Sequence, residues 1–287
     1  MHIIRRIVMN IKTQNEYISL ASNFYSSRLC GLELTPLHII GALLRAAPEY
    51  RPDYFRRLRN ALAFDQAQRG HLHIAEEINR TLNPVTVLGL PVKKKQRRQQ
   101  KLFYEGFELL VNTLTQRGFL VESGALLLIF MTGARPSELN GIRIEGDRVH
   151  IPGAKCSHGG LRGADRTLEA EDVVCRSMRH ALAAFHSKVK SIDAVRVAIS
   201  DIVQEIFPVR QRPSMYTLRH QFGANLKASG LSRVEIAYIM GHQATDSINR
   251  YGDKRFGRAE AVKVRPAVGV DLSSVRETHL KRSPPSR

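Results

Sequence analysis

The sequence predicts a mainly α fold in two domains, with one small antiparallel β-sheet in the second. Three observations predict it. Apolar residues recur at helical spacing in both halves, as in Tyr17, Ile18, Leu20, Ala21, Phe24 and Leu29. One short stretch, residues 142–151, alternates about a central Gly146-Asp147 pair, the pattern of a tight hairpin. Between the halves, Pro84, Gly89 and Pro91 break the helical pattern, and residues 93–101 then carry six positive charges.

Residues 13–83 read as helices joined by short turns, within a helical domain spanning residues 1–92. Thr35-Pro36 opens one helix, with Thr35 as N-cap and Pro36 in the first turn, and it runs to residue 46. Another, residues 53–67, carries Phe55, Leu58, Ala61 and Leu62 on one side. Its Arg56, Arg57 and Arg59 suit a solvated face or a surface laid along a DNA backbone. Residues 93–100 read as a basic linker. The second domain, residues 101–270, opens with helices at 102–115 and 120–131. The latter is nearly all apolar from Gly124 to Phe130, so it is a buried helix, and Gly133 stops it. The hairpin follows, then a Gly-rich loop, a third strand at 166–168, and further helices to about residue 251. Residues 271–287 read as a disordered tail.

Lys and Arg number 44 against 26 acidic residues, a net charge of +18. Such an excess favours a polyanionic partner, because each phosphate neutralised releases condensed counterions. Three cysteines, Cys30, Cys156 and Cys175, are too few and too widely spaced for a disulfide framework or a zinc pattern, so a reducing cytoplasm is expected. No segment reaches the ~18 uninterrupted apolar residues of a membrane helix. The first residues lack the apolar core of a signal peptide.

Four islands in the second domain carry chemistry. In Thr132-Gly133-Ala134-Arg135-Pro136-Ser137-Glu138-Leu139, Gly133 ends a helix and Pro136 suits the first turn of the next, which places Arg135 at a helix N-terminus suited to an anion. Lys155 follows Ile151-Pro152-Gly153-Ala154 at the end of a strand, and Arg166 starts the next one. Tyr216-Thr217-Leu218-Arg219-His220 places Tyr216 and Arg219 on one helical face, and a guanidinium fork matches phosphate oxygens. Ser232 and Glu235 form a capping box for a helix that Gly241 closes, with His242 just beyond. Tyr251 comes nine residues later, after a short segment capped by Thr245 or Asp246. Singly, each island also reads as ordinary structure: a turn, a solvated lysine, a surface arginine beside a core tyrosine, a capped helix.

Together and in this order, the islands resemble the phage-integrase family of tyrosine recombinases. The resemblance spans residues 135–251 within a catalytic domain of about 101–270. The N-terminal helices resemble the family's core-binding domain in length, helicity and basicity. One departure stands out: the Arg219 box usually begins with His, and here it begins with Tyr216.

The resemblance implies a site-specific DNA recombinase, an integrase acting through a 3′-phosphotyrosine to integrate or excise a mobile element. Multimer resolution by the same chemistry, or a noncatalytic DNA-binding relic, are the alternatives. It implies Tyr251 as nucleophile, Arg135 and Arg219 as a clamp on the scissile phosphate, and His242 and Tyr216 as hydrogen-bond donors to it. Lys155 would act as general acid, and Glu138 would orient the site. Lys93, Lys94, Lys95, Arg97 and Arg98 of the linker would contact DNA. Neither cofactor nor metal is expected, and a metal-dependent nuclease would need several carboxylates where the islands offer Glu138. The implied partners are double-stranded attachment sites, a homotetramer on synapsed DNA, and accessory DNA-bending or directionality proteins. From the family, residues 252–270 are expected to form a helix that docks on a neighbouring protomer.

Overall fold

The computed structural model describes residues 11–94, 99, 101–153 and 164–278. The chain divides into two compact units, Met1–Arg97 and Arg98–Arg287. The first holds α1 (Ile11–Arg28), α2 (Pro36–Ala46), α3 (Pro52–Gln68), α4 (Leu72–Arg80) and a single turn, α5 (Pro84–Val87). Thr35 caps α2 as expected, its hydroxyl accepting from the His38 amide at 3.3 Å. Phe24, Leu29, Ile39, Leu43, Phe55, Leu58, Leu62 and Ile78 form the core. Buried Asp65 sits at its edge and accepts from Tyr25 Oη at 3.1 Å and Arg69 Nε at 2.7 Å, so its charge is paired. The α3 arginines are engaged locally: Arg57 with Glu16, Arg56 with Asp53, and Arg59 with the Thr81 carbonyl.

The second unit is built around α7 (Leu120–Thr132), which is preceded by α6 (Tyr104–Gln116). Burial on nearly every side explains its almost uniformly apolar sequence. After α7 come β1 (Arg143–Glu145), β2 (Arg148–Ile151), β3 (Arg166–Ala170), α8 (Asp172–His186) and α9 (Ile192–Ile206). α10 (Met215–Ala228), α11 (Arg233–Ile239) and β4 (Val264–Pro266) complete the unit. α7 packs on α6, α8, α9 and α10. Gly124 sets the closest approach to α8, since a Cβ there would lie 2.4 Å from the Ala181 carbonyl oxygen. Each large apolar side chain buried at this junction, such as Leu126, Leu128 and Ile129, contributes roughly 1.5–3 kcal/mol.

The sheet runs β1-β2-β3-β4 with every pair antiparallel. Glu145 pairs with Arg148 across the two-residue Gly146-Asp147 loop, so the predicted hairpin forms about its predicted centre. β3 is longer than expected, reaching Ala170, and β4 is an edge strand that the sequence pattern does not announce.

Residues 252–270 do not form the expected helix. They make 3-10 turns at Lys254–Phe256 and Ala259–Ala261 and then β4. α10 draws the segment out by gripping its backbone: Lys227 Nζ donates to Gly252 O at 2.6 Å and Gln221 Nε2 to Phe256 O at 2.7 Å, while Asn225 Oδ1 accepts from Arg258 N at 3.0 Å. Two glycines allow the contact. A Cβ on Gly252, whose φ is +43°, would meet His220 O at 2.3 Å, and one on Gly257 would meet Ala224 O at 2.1 Å.

The expected disorder of 271–287 is corrected as far as Thr278. Val275 is buried and Leu272 packs against the core, while the Arg276 carbonyl accepts from Thr245 N at 3.1 Å. The Thr278 hydroxyl accepts from Asp246 N at 3.0 Å, so neither Thr245 nor Asp246 caps the turn before Tyr251 with its own side chain. Residues 279–287 lie outside the described residues.

Candidate active site

α7 ends at Gly133, where φ is +64° and a Cβ would strike the Phe222 ring at 2.2 Å. That contact seats the end of α7 on α10 and brings the Gly133 carbonyl to Arg219. Arg135 follows as the N-cap of a 3-10 turn, Pro136–Gly141. The free N-terminus expected there is already occupied: Glu138 Oε2 accepts from Arg135 N at 2.8 Å, and Oε1 accepts from Arg135 Nη1 at 2.5 Å. Arg135 Nη2 reaches the Gly241 carbonyl at 3.1 Å.

Glu138 is buried and has a second cation, Arg166 of β3, whose Nη2 lies 2.8 Å from Oε2. Burial opposes ionisation of this carboxyl. The charge and hydrogen bond of Arg166, followed by the charge of Arg135, outweigh it and hold the group at about 2.

Arg219 is fully buried in the second turn of α10. It donates to the carbonyls of Gly133 and Met240, joining the ends of α7 and α11, and Nη2 lies 3.3 Å from His242 Nε2. Burial, then the charges of Arg135 and Arg166, depress its guanidinium to about 10, so it stays cationic at neutral pH. α11 closes through Gly241, φ +61°, with Gly241 N bonding Tyr238 O and His242 N bonding Ala237 O, both at 2.8 Å. This turn delivers His242 into the cluster. Burial and then the charge of Arg219 push the imidazole down to about 3, so it is neutral. Because Nε2 accepts from Arg219, the proton sits on Nδ1, which has no partner among the described residues.

Tyr251 completes the group. Its ring lies 4.9 Å from that of His242, and the Arg219 guanidinium carbon is 5.1 Å from its centroid. Gly223 of α10 lets it approach, since a Cβ there would lie 3.0 Å from Tyr251 Cβ. Lys227 Nζ also donates to the Tyr251 carbonyl, which fixes the backbone on either side of the Tyr251–Gly252 peptide.

Five of the predicted residues therefore converge: Arg135, Glu138, Arg219, His242 and Tyr251. Tyr216 begins the same helix as Arg219 but is 45% exposed, and among the described residues no hydrogen bond or ring contact joins it to the cluster. Lys155 lies outside the described residues, as do Lys95, Arg97 and Arg98. Lys93 and Lys94 belong to the first unit and border a surface depression with Tyr50, Tyr54 and Arg57. Lys93 Nζ donates to Glu49 O at 2.9 Å.

Sequence reasoning missed Arg166 as a site residue, because its local pattern marks only the start of a strand. A charged residue in a short strand is a weak signal. With Arg166, the cluster sets three guanidiniums against one carboxylate. Arg166 Nε and Nη1 and Arg219 Nε are buried and unpartnered among the described residues. An excess of positive charge with unused donors suits an oxyanion. Among the described residues no three His, Cys, Asp or Glu side chains gather as a metal-binding group.

No family model matches the sequence, and no curated protein matches it. Solved structures do. A lambda integrase tetramer bound to a Holliday junction matches with a TM-score of 0.58 at 17% identity, over 87% of this chain and 74% of that one. A lambda integrase dimer bound to a COC′ core site gives 0.59 at 16% identity, over 86% and 73%. The Tn1549 transposon integrase in complex with transposon right end DNA gives 0.55 at 13%, over 85% and 90%. At these identities the likeness speaks to the fold, and the chain has the fold of the tyrosine recombinases.

Proposed function

We propose that the protein is a DNA strand transferase, a site-specific recombinase that uses Tyr251 as nucleophile. The convergence of Arg135, Arg219 and His242 beside Tyr251, from four separate stretches of one chain, carries this reading. Tyr251 gives up its phenol proton to solvent as its oxygen forms a bond to the scissile phosphorus and the bond to the 5′ oxygen breaks. Lys155 gives the departing oxygen its proton, leaving a 3′-phosphotyrosine and a free 5′ hydroxyl. Attack by a 5′ hydroxyl on that intermediate rejoins the strand and frees Tyr251, so phosphodiester energy is conserved. Arg135 and Arg219 hold the nonbridging oxygens and stabilise the charge that builds in the transition state. His242 offers its Nδ1 proton to the same phosphate, and Glu138 fixes Arg135.

The first unit would grip the duplex and the basic segment 93–100 would run along it, in a tetramer on paired attachment sites. The similar structures are of integrases on DNA, which favours integration or excision of a mobile element as the setting.

The test is cleavage of a nicked suicide substrate read on a denaturing gel. The wild type is expected to give a covalent protein–DNA band that survives EDTA, and Tyr251→Phe to bind the DNA without forming it. A band from the mutant would place the nucleophile elsewhere. Binding without a band from the wild type would make the chain a noncatalytic DNA-binding protein.

A further inference from the structure

We propose that Arg166 is a positioning residue for strand transfer, setting the Arg135 guanidinium in place through Glu138. The inference rests on the reading of Tyr251 as nucleophile. Arg166 opens β3 opposite Ile151 of β2, and its side chain is 0% exposed. Among the described residues its contacts run to Glu138 and to the Gly241 turn, whereas Arg219 and His242 are the groups set against Tyr251. Arg166 reaches the carboxylate that does the holding: Glu138 Oε2 takes Arg166 Nη2 and Arg135 N, each at 2.8 Å, while Oε1 takes Arg135 Nη1 at 2.5 Å. Glu138 is thus a bridge with a guanidinium at each end, one sealed in the core and one 11% exposed at the site.

Arg166 also touches the turn that delivers His242. A Cβ on Gly241 would lie 2.7 Å from Arg166 Nη1, and the Gly241 carbonyl is the other anchor of Arg135. A side chain serving stability alone would be less costly as an apolar residue of similar volume, because burying an ion costs more than its pairing usually returns. Arg166 moreover leaves Nε and Nη1 unpartnered among the described residues. What the cation does, and a methionine would not, is keep Glu138 ionised and aimed.

The groups facing Glu138 are Arg135 from its own turn, Arg166 from β3, Arg219 from α10 and His242 after α11. Tyr238 of α11 stands behind Arg166, its hydroxyl accepting from Thr167 N at 3.0 Å. Of the neighbours that favour the carboxylate form of Glu138, Arg166 contributes most.

Single-turnover cleavage by the full chain, followed from about pH 5 to about pH 9, tests this. Arg166→Met is expected to slow cleavage about 100-fold near neutrality, the scale of a misplaced reacting group. It should also add an acid limb as Glu138 takes up a proton. Arg166→Lys should restore much of the rate, and Arg166→Met with Glu138→Gln should lose the limb. A wild-type rate and profile in Arg166→Met overturns the proposal, and so does a slower rate whose pH profile is unchanged. If Arg166→Met does not fold, Arg166→Gln, which keeps a donor without the charge, carries the same test. If the wild type itself never cleaves, the strand-transfer reading fails separately. Carbon NMR of the Glu138 carboxyl then still decides: ionisation moving to higher pH in Arg166→Met supports the proposal, and an unmoved carboxyl overturns it.

Discussion

Tyr216 stands three residues before Arg219 at the start of α10, and its 45% exposure removes the reading in which it merely fills the core behind that arginine. An exposed phenol one helical turn before the arginine proposed to hold the phosphate would be free to serve as a donor to bound DNA, as the residue in its place is expected to do. Tyr216→Phe is then expected to lower single-turnover cleavage by about 10²- to 10³-fold, the cost of removing one donor from a charge-stabilising site. Tyr216→His should retain substantial activity. A Phe variant as fast as wild type would remove Tyr216 from the mechanism. The residues that were legible in the sequence each sat beside a local marker: Gly133 before Arg135, Gly241 before His242, and a helical face shared with Tyr216 for Arg219. Arg166 had none. Its role comes from the β2–β3 register and from a carboxylate twenty-eight residues earlier in the chain, neither of which local spacing encodes.

Helices were legible wherever an apolar stripe or a cap specified them, as at Thr35 and along α7. The chain beyond Tyr251 was not. Its conformation is set by α10 side chains gripping backbone carbonyls and amides, a tertiary effect that leaves no periodicity, and it overrode the helix expected there. Thr245 and Asp246 show the same thing in miniature, because the hydroxyl that serves their turn comes from Thr278. The basic segment was plain from composition alone. Neutralising Lys93, Lys94, Lys95, Arg97 and Arg98 together is expected to weaken binding to every DNA sequence alike. The log–log salt slope should fall by about 0.9 for each phosphate that the variant no longer neutralises. A slope equal to the wild type's, measured by titration at several salt concentrations, would mean that the segment is only solvated.

The whole chain combines a net charge of +18 with a site of buried cations, and among the described residues no helix is long and apolar enough to cross a membrane. General charge would bring a duplex close from any sequence, and the cluster would act on one phosphate of it. The Lys227 grip on the Tyr251 and Gly252 carbonyls bears on stoichiometry. It holds Tyr251, the proposed nucleophile, against Arg219 and His242 of its own polypeptide, so each protomer would cut with its own tyrosine rather than lend it to a neighbour. Mixing Tyr251→Phe protomers with Arg219→Lys protomers should therefore restore no covalent product on a denaturing gel. Recovery of cleavage in the mixture would mean that Lys227 releases Tyr251 on DNA and that the tyrosine crosses between subunits.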